Sequence, residues 1–282
     1  MKLGLGTVQF GCNYGISNKK GQVPYEEIKK ILEYAQNVGI DTLDTASLYG
    51  DSEKVLGQFN LKNFKVVTKT IKIDKALSGI ENLNKFRNAF YNSWNNLGID
   101  CLYGLMFHES TDLLGPNGND LWNLVYDFKN KGYVKKIGVS VYTPEVLIDI
   151  IKQYKIDIVQ MPLNILDQRF VFLLKELKSN NIEIHTRSTF LQGLLLMADC
   201  DINPYFDEIR PLLNQIPNPK LDYALQFVSN IKDVDKIIVG TTCLQDLKEI
   251  VAATSSIIKI INFERFKVTD ERFILPQNWR LK

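Results

Sequence analysis

Eight short apolar runs, each followed by a stretch of helical periodicity, constrain this chain more than any other feature. They lie at residues 2–7, 40–43, 65–69, 102–107, 134–139, 156–160, 182–187 and 236–239. Strands that alternate this regularly with helices pair in parallel, and eight of them imply closure. The chain therefore reads as α/β, a single (β/α)8 TIM barrel. Its 282 residues match the ~250 typical of one such barrel, so residues 1–282 form one domain rather than two. Residues 8–24 read as a long loop. Pro24 then opens a helix whose stripe is Ile28, Ile31, Leu32, Ala35 and Val38, and Gly39 ends it. Leu83, Phe86, Phe90 and Leu97 give another helix its apolar face, and further helical stretches cover 221–228 and 244–251. Residues 256–282 form a tail carrying Phe273, Pro276 and Trp279, which either folds over the barrel mouth or packs outside it.

Composition narrows the function classes. Hydrophobic content of 45% and charged content of 23% fit a globular chain with a large core, and a net charge of +2 gives no electrostatic footprint for nucleic acid or an acidic membrane. Cys12, Cys101, Cys200 and Cys243 show no paired or metal-ligand spacing. With no signal peptide at the first residues and no bilayer-spanning run, the reading is cytoplasmic, with free thiols. Two histidines leave little for a His-based metal site, and no metal is expected.

Chemistry enters at residues 44–53. Asp44 ends the second run, and Tyr49 follows five residues later, directly before Gly50. A phenol titrating near about pH 10 is a poor acid at neutral pH unless a cation stabilises its phenolate. Lys69 at the end of the third run supplies one, and His108 follows the fourth. Singly, these are an ordinary strand end, a loop aromatic, a solvated lysine and a core histidine. Together they stand where barrels place their chemistry, at the C-terminal ends of strands.

The pattern Asp44-Thr45-Ala46-x-x-Tyr49-Gly50-x-Ser52-Glu53, with Leu97-Gly98-x-Asp100 ahead of the fourth strand and the segment 132–140, resembles the aldo-keto reductases. The resemblance implies NAD(P)H-dependent reduction of an aldehyde or ketone, with Asp44, Tyr49, Lys69 and His108 as the catalytic tetrad, Lys69 lowering the tyrosine's pKa. Many members have a hairpin ahead of the first strand, and this chain lacks room for one. The resemblance carries the cofactor, NADP(H) or NAD(H), to Thr7, Ser140, Gln160, Arg187, Ser188, Thr189, Leu191, Gly193, Gly240, Thr241, Thr242, Asp246 and Glu249. Arg187 stands where the family has a ring-stacking aromatic; it either stacks on the nicotinamide or binds a substrate anion. Asp246 stands where an arginine is frequent, so NADH is expected to serve at least as well as NADPH, the carboxylate accepting from ribose hydroxyls. Phe10, Tyr14 and Glu109 are candidate pocket residues, the two aromatics being either walls or loop packing. The polar surroundings favour a sugar-like or nucleotide-linked keto substrate. Expected partners are this small molecule alone, with no nucleic acid and no membrane, on a monomer or small homo-oligomer. The rival reading is a cofactor-occupied binding or regulatory subunit with negligible turnover.

Overall fold

A computed structural model describes residues 1–259 and 261–281. Eight parallel strands, β1 (Leu3–Gly6), β2 (Thr42–Asp44), β3 (Lys65–Lys69), β4 (Leu102–Phe107), β5 (Val134–Ser140), β6 (Ile158–Pro162), β7 (Glu183–Arg187) and β8 (Lys236–Gly240), close into a barrel in sequence order. Closure is made by β1 against β8, with Leu3 opposite Ile237 and Gly6 opposite Gly240. The sixth strand starts later than the apolar run, at Ile158, because the Asp157 carboxylate is used to receive the Ile137 amide and the Lys129 ammonium. Residues 8–24 are not loop throughout: Val8–Gly11 makes a helical turn.

The helices form where the periodicity puts them. Tyr25–Asn37 buries Ile28, Ile31, Leu32 and Ala35. Gly79–Leu97 starts at a Ser78–Glu81 capping box and stops at Gly98, which takes the left-handed conformation a side chain resists. Its Phe90 ring stacks at 3.8 Å on Phe128 of helix Gly118–Asn130, fixing two crossover helices against each other.

Alternation along the strands sorts the barrel interior into levels. Val67, Met106 and Ile158 form an apolar cluster of their own in the middle. Gly4, Gly104 and Gly138 make room there, since a Cβ at each would strike Ile238, Val67 or Ile158. Toward the strands' N-terminal ends, Asp41 pairs with Lys65 and Lys236, and Glu183 with Lys136, Tyr103 and His185. Burial opposes both charges, but Lys236 and Lys65 hold Asp41, and His185, Lys136 and Tyr103 hold Glu183, well below the usual carboxylate range. At the opposite end stand the residues with chemical potential.

The tail packs against the segments that follow β6 and β7. Phe266, Phe273 and Ile274 are buried. Trp279 meets Phe206 edge-on at 5.0 Å, Val268 donates its amide to Leu166, and Arg169 pairs with Glu271. No described helix is long and apolar enough to cross a membrane.

Gly138 gives the tightest strand contact. A Cβ there would lie 1.7 Å from the Ile158 carbonyl oxygen, so Gly138→Ala must part β5 from β6. We expect a loss of about 2–3 kcal/mol, typical of overpacking, read as a lower urea midpoint. An unchanged midpoint would contradict this packing.

Candidate active site

Asp44 and Lys69 end strands β2 and β3, Gln160 stands at the middle of β6, and their side chains meet inside the barrel. The Lys69 ammonium donates to both Asp44 oxygens at 2.8 and 2.7 Å, to the Thr45 carbonyl at 3.0 Å and to the Tyr49 hydroxyl at 3.3 Å. Gln160 Nε2 donates to Asp44 at 2.7 Å from the far side. Tyr49 is carried by a turn in which its amide bonds back to Ala46, and Gly50 (φ +57) lets the chain pass beside Gly11. A Cβ on Gly50 would lie 2.4 Å from the Gly11 carbonyl oxygen, and one on Gly11 1.8 Å from that of Tyr49. The two glycines thus set the tyrosine's position. His108, just past β4, presents its ring edge-on to Tyr49 with centroids 5.8 Å apart.

Burial dominates the electrostatics. Lys69 is 1% exposed; burial works against its charge, but Asp44 and Tyr49 outweigh it, and the ammonium form is strengthened. The Tyr49 hydroxyl is pushed above its usual value by burial, with Lys69 opposing and Asp44 adding to the rise. Lys69 acts in the expected direction, but burial outweighs it, so the net lowering expected of the tyrosine is corrected to a rise. Tyr49 is a protonated donor. His108 is lowered to about 4, by burial first and then by the Lys69 and Arg187 charges, so its imidazole is neutral near pH 7.

A cavity of about 240 Å³ is lined by Thr7, Tyr14, Asp44, Tyr49, His108, Ser140, Tyr142, Gln160, Arg187 and Ser188, among others. A second, of about 410 Å³, runs outward past Gly193, Gly240, Thr241, Thr242, Asp246 and Glu249. Tyr14 and Gln192 wall both, and Gln192 Nε2 donates to the Tyr14 hydroxyl at 3.2 Å. The linked cavities suit a dinucleotide. Gln160 Oε1 is buried without a partner, the acceptor a carboxamide N–H would satisfy, and Thr189 Oγ1 is a buried unpartnered hydroxyl beside the outer cavity's Phe190. The segment following β7 is wound tightly: Ser188, Leu191 and Gln192 all have positive φ, as does Gly193. Such a run costs backbone energy and persists where surroundings enforce it. Here Leu191 is fully buried and Asn164 holds the Ser188 carbonyl.

Several assignments need revision. Phe10 is not a pocket wall: the helical turn Val8–Gly11 drives its ring into the core, with no exposure. Glu109 is absent from the cavity walls and accepts instead from Thr111 in the turn after His108. Leu191 is a core residue, and the Thr7 hydroxyl is committed to the Asp44 carbonyl and Ser52. Asp246 lines the outer cavity, but its carboxylate folds back on its own turn, receiving the Thr242 amide and hydroxyl and the Cys243 thiol. Sequence reasoning missed Gln9, Lys20, Tyr142 and Gln192. Tyr142 had a signal, two residues beyond Ser140 and so on the same face of extended chain. Lys20 had none: it arrives from the loop after β1 to lie 3.4 Å from Cys243 Sγ.

The sequence model described as Aldo/keto reductase family matches residues 2–260. Among curated proteins, the chloroplastic pyridoxal reductase of Arabidopsis thaliana is 29% identical over 142 residues, 44% of this chain and only 38% of that protein. An uncharacterized oxidoreductase, YqkF of Bacillus subtilis, is 22% identical across 80% of this chain and 81% of its own. The holo form of the aldo-keto reductase AKR11C1 from Bacillus halodurans superposes with a TM-score of 0.73 at 18% identity, covering 94% of this chain and 89% of that one. A putative aldo-keto reductase from Pseudomonas aeruginosa gives 0.69 at 20%, covering 90% and 89%. At these identities the structural likeness speaks for the fold.

The depressed His108 pKa links stability to pH. The folded protein resists protonating a group that the unfolded chain protonates near about 6.5. Stability is therefore full above that pH and declines as pH falls toward about 4. His108→Gln should flatten this limb of the urea-midpoint profile. Superimposable profiles would contradict the assigned neutral imidazole.

Proposed function

The chain belongs to the Aldo/keto reductase family, and from that premise we propose that it reduces a carbonyl to an alcohol with Tyr49 as proton donor. The observation that carries this is the joining of Asp44, Lys69 and Tyr49 by hydrogen bonds at one cavity wall, beside His108. A bound reduced nicotinamide supplies the hydride. Gln160 and Ser140 would hold its carboxamide, and the strap from Ser188 to Gly193 with the turn Gly240–Thr242 its phosphates. Tyr49 donates a hydrogen bond to the carbonyl oxygen, then its proton. Lys69 stabilises the phenolate left behind, and Asp44 and Thr45 keep the ammonium aimed. His108, neutral, orients the oxygen without adding a cation. Arg187, Tyr142, Ser188 and Gln192 give the cavity a polar wall, which supports a sugar-like or nucleotide-linked keto substrate over a lipid one. The name of the Arabidopsis relative adds pyridoxal to the carbonyls worth assaying.

The cofactor preference we propose is NADH at least as much as NADPH. Two carboxylates already occupy donors where helix Leu244–Ala253 begins: Asp246 takes the Thr242 amide and Glu27 the Leu244 amide at 2.7 Å. A 2′-phosphate in the outer cavity would meet Asp246 and Glu249, with Lys20 the cation among that cavity's lining residues. Like charges disfavour it.

Two measurements follow. Following nicotinamide absorbance over a carbonyl panel, Tyr49→Phe should lower kcat by at least about a hundredfold, the scale of general acid catalysis, with cofactor Kd nearly unchanged. Wild-type turnover in that variant would refute the donor role. For the cofactor, fluorescence titration should find Asp246→Arg tightening NADPH relative to NADH by about tenfold and Lys20→Met shifting the ratio the opposite way. A wild-type preference for NADPH that Asp246→Arg leaves untouched would refute the charge argument.

A further inference from the structure

Charge around the active-site cavity is unevenly compensated. Lys69 and Asp44 cancel at hydrogen-bond distance, and His108 is neutral. Arg187 remains: among the described residues, no carboxylate lies within ion-pair distance of it. Its guanidinium is also fixed. One face lies 4.3 Å over the Tyr142 ring, and Nη2 donates to the Val141 carbonyl at 3.0 Å. The group is half-buried at the cavity wall, so solvent and salt screen it less than a surface arginine. Its field reaches across the cavity, since it opposes protonation of His108 and favours ionisation of Tyr49 and Tyr14.

A nicotinamide ring is neutral when reduced and carries one positive charge when oxidised. Hydride and proton must reach the same carbonyl, so a ring serving Tyr49 shares a cavity of only about 240 Å³ with Arg187. Such a ring would occupy the same cavity that the guanidinium lines. We propose that Arg187 sets the redox selectivity of the site: its uncompensated charge disfavours the oxidised nicotinamide and leaves the reduced one unaffected. This rests on the reductase reading above. The site then loads with reduced cofactor from a mixed pool and expels the oxidised product. The same field makes hydride release on the enzyme less favourable, so selectivity is gained against driving force.

The test is a set of dissociation constants for NADH, NAD⁺, NADPH and NADP⁺, by fluorescence and calorimetry, on wild type, Arg187→Gln, Arg187→Tyr and Arg187→Lys. The Kd ratio of oxidised to reduced form should fall about tenfold in both neutral variants, given two like charges sharing one partly screened cavity. Arg187→Lys should retain most of it. Each tenfold change moves the potential of the bound couple by about 30 mV, an independent readout. Arg187→Tyr keeps a flat side chain at the strand end, so a folding defect in one neutral variant leaves the other to decide. A ratio unchanged in a folded neutral variant overturns the proposal. So does an unchanged ratio joined to a higher KM for carboxylate-bearing carbonyls alone, which would make Arg187 a substrate clamp. Binding of none of the four cofactors would overturn the reductase reading and this inference with it.

Discussion

The structure depends on an ion pair that could not survive alone in a protein interior. Lys69 and Asp44 are withdrawn from water at 1% and 5% side-chain exposure. Desolvating two charges costs several kcal/mol per ion, and only good geometry with every remaining donor and acceptor satisfied repays it. Those partners come from around the barrel: Gln160 from β6, the Thr45 carbonyl beyond β2, the Tyr49 hydroxyl from the turn. The pair is possible only once the sheet has closed. Closure, in turn, rests on the apolar middle level and the glycines that let the strands approach.

The interior is therefore polar at both ends for different reasons. At the N-terminal end, Asp41 is shared between Lys65 and Lys236, and Glu183 pairs with Lys136, Tyr103 and His185. These groups pair with one another, with His185 Nδ1 alone of them left without a partner among the described residues. At the C-terminal end, satisfaction is deliberately incomplete: Gln160 Oε1, Thr189 Oγ1 and His108 Nδ1 are buried without partners. Unpaired buried polar atoms are costly and rare. Their concentration around two linked cavities is the physical mark of a site shaped for something other than water.

Two loops distant in sequence meet beside the cavities. Tyr14 and Ser17, after β1, meet Gln192, after β7, above the junction of the cavities. Gly193 is needed there because a Cβ would lie 1.9 Å from the Ser17 hydroxyl. The left-handed residues Ser188, Leu191, Gln192 and Gly193 keep the strap close enough for that contact, while buried Leu191 anchors it below.

Much of this was legible in the sequence. Parallel strands need long crossovers, so alternation of apolar runs with helical stripes determined the barrel, and the two-residue period determined which side chains share its mouth. Asp44, Tyr49, Lys69 and His108 could be named because strand ends are local features with local signals. What tertiary structure decided was compensation between groups far apart in the chain. Burial outweighs Lys69 at the tyrosine, because the closed barrel takes the hydroxyl out of water. Asp246 lines the outer cavity with its carboxylate already engaged by donors of its own turn, while Glu27 caps a helix 217 positions away. Phe10 left the pocket because one helical turn redirected it. Arg187 acquired its character from Tyr142 beneath it and from the absence of any nearby carboxylate among the described residues. Residue type and spacing place groups on a strand; a charge's partners and a side chain's distance from water exist only after the chain has closed on itself.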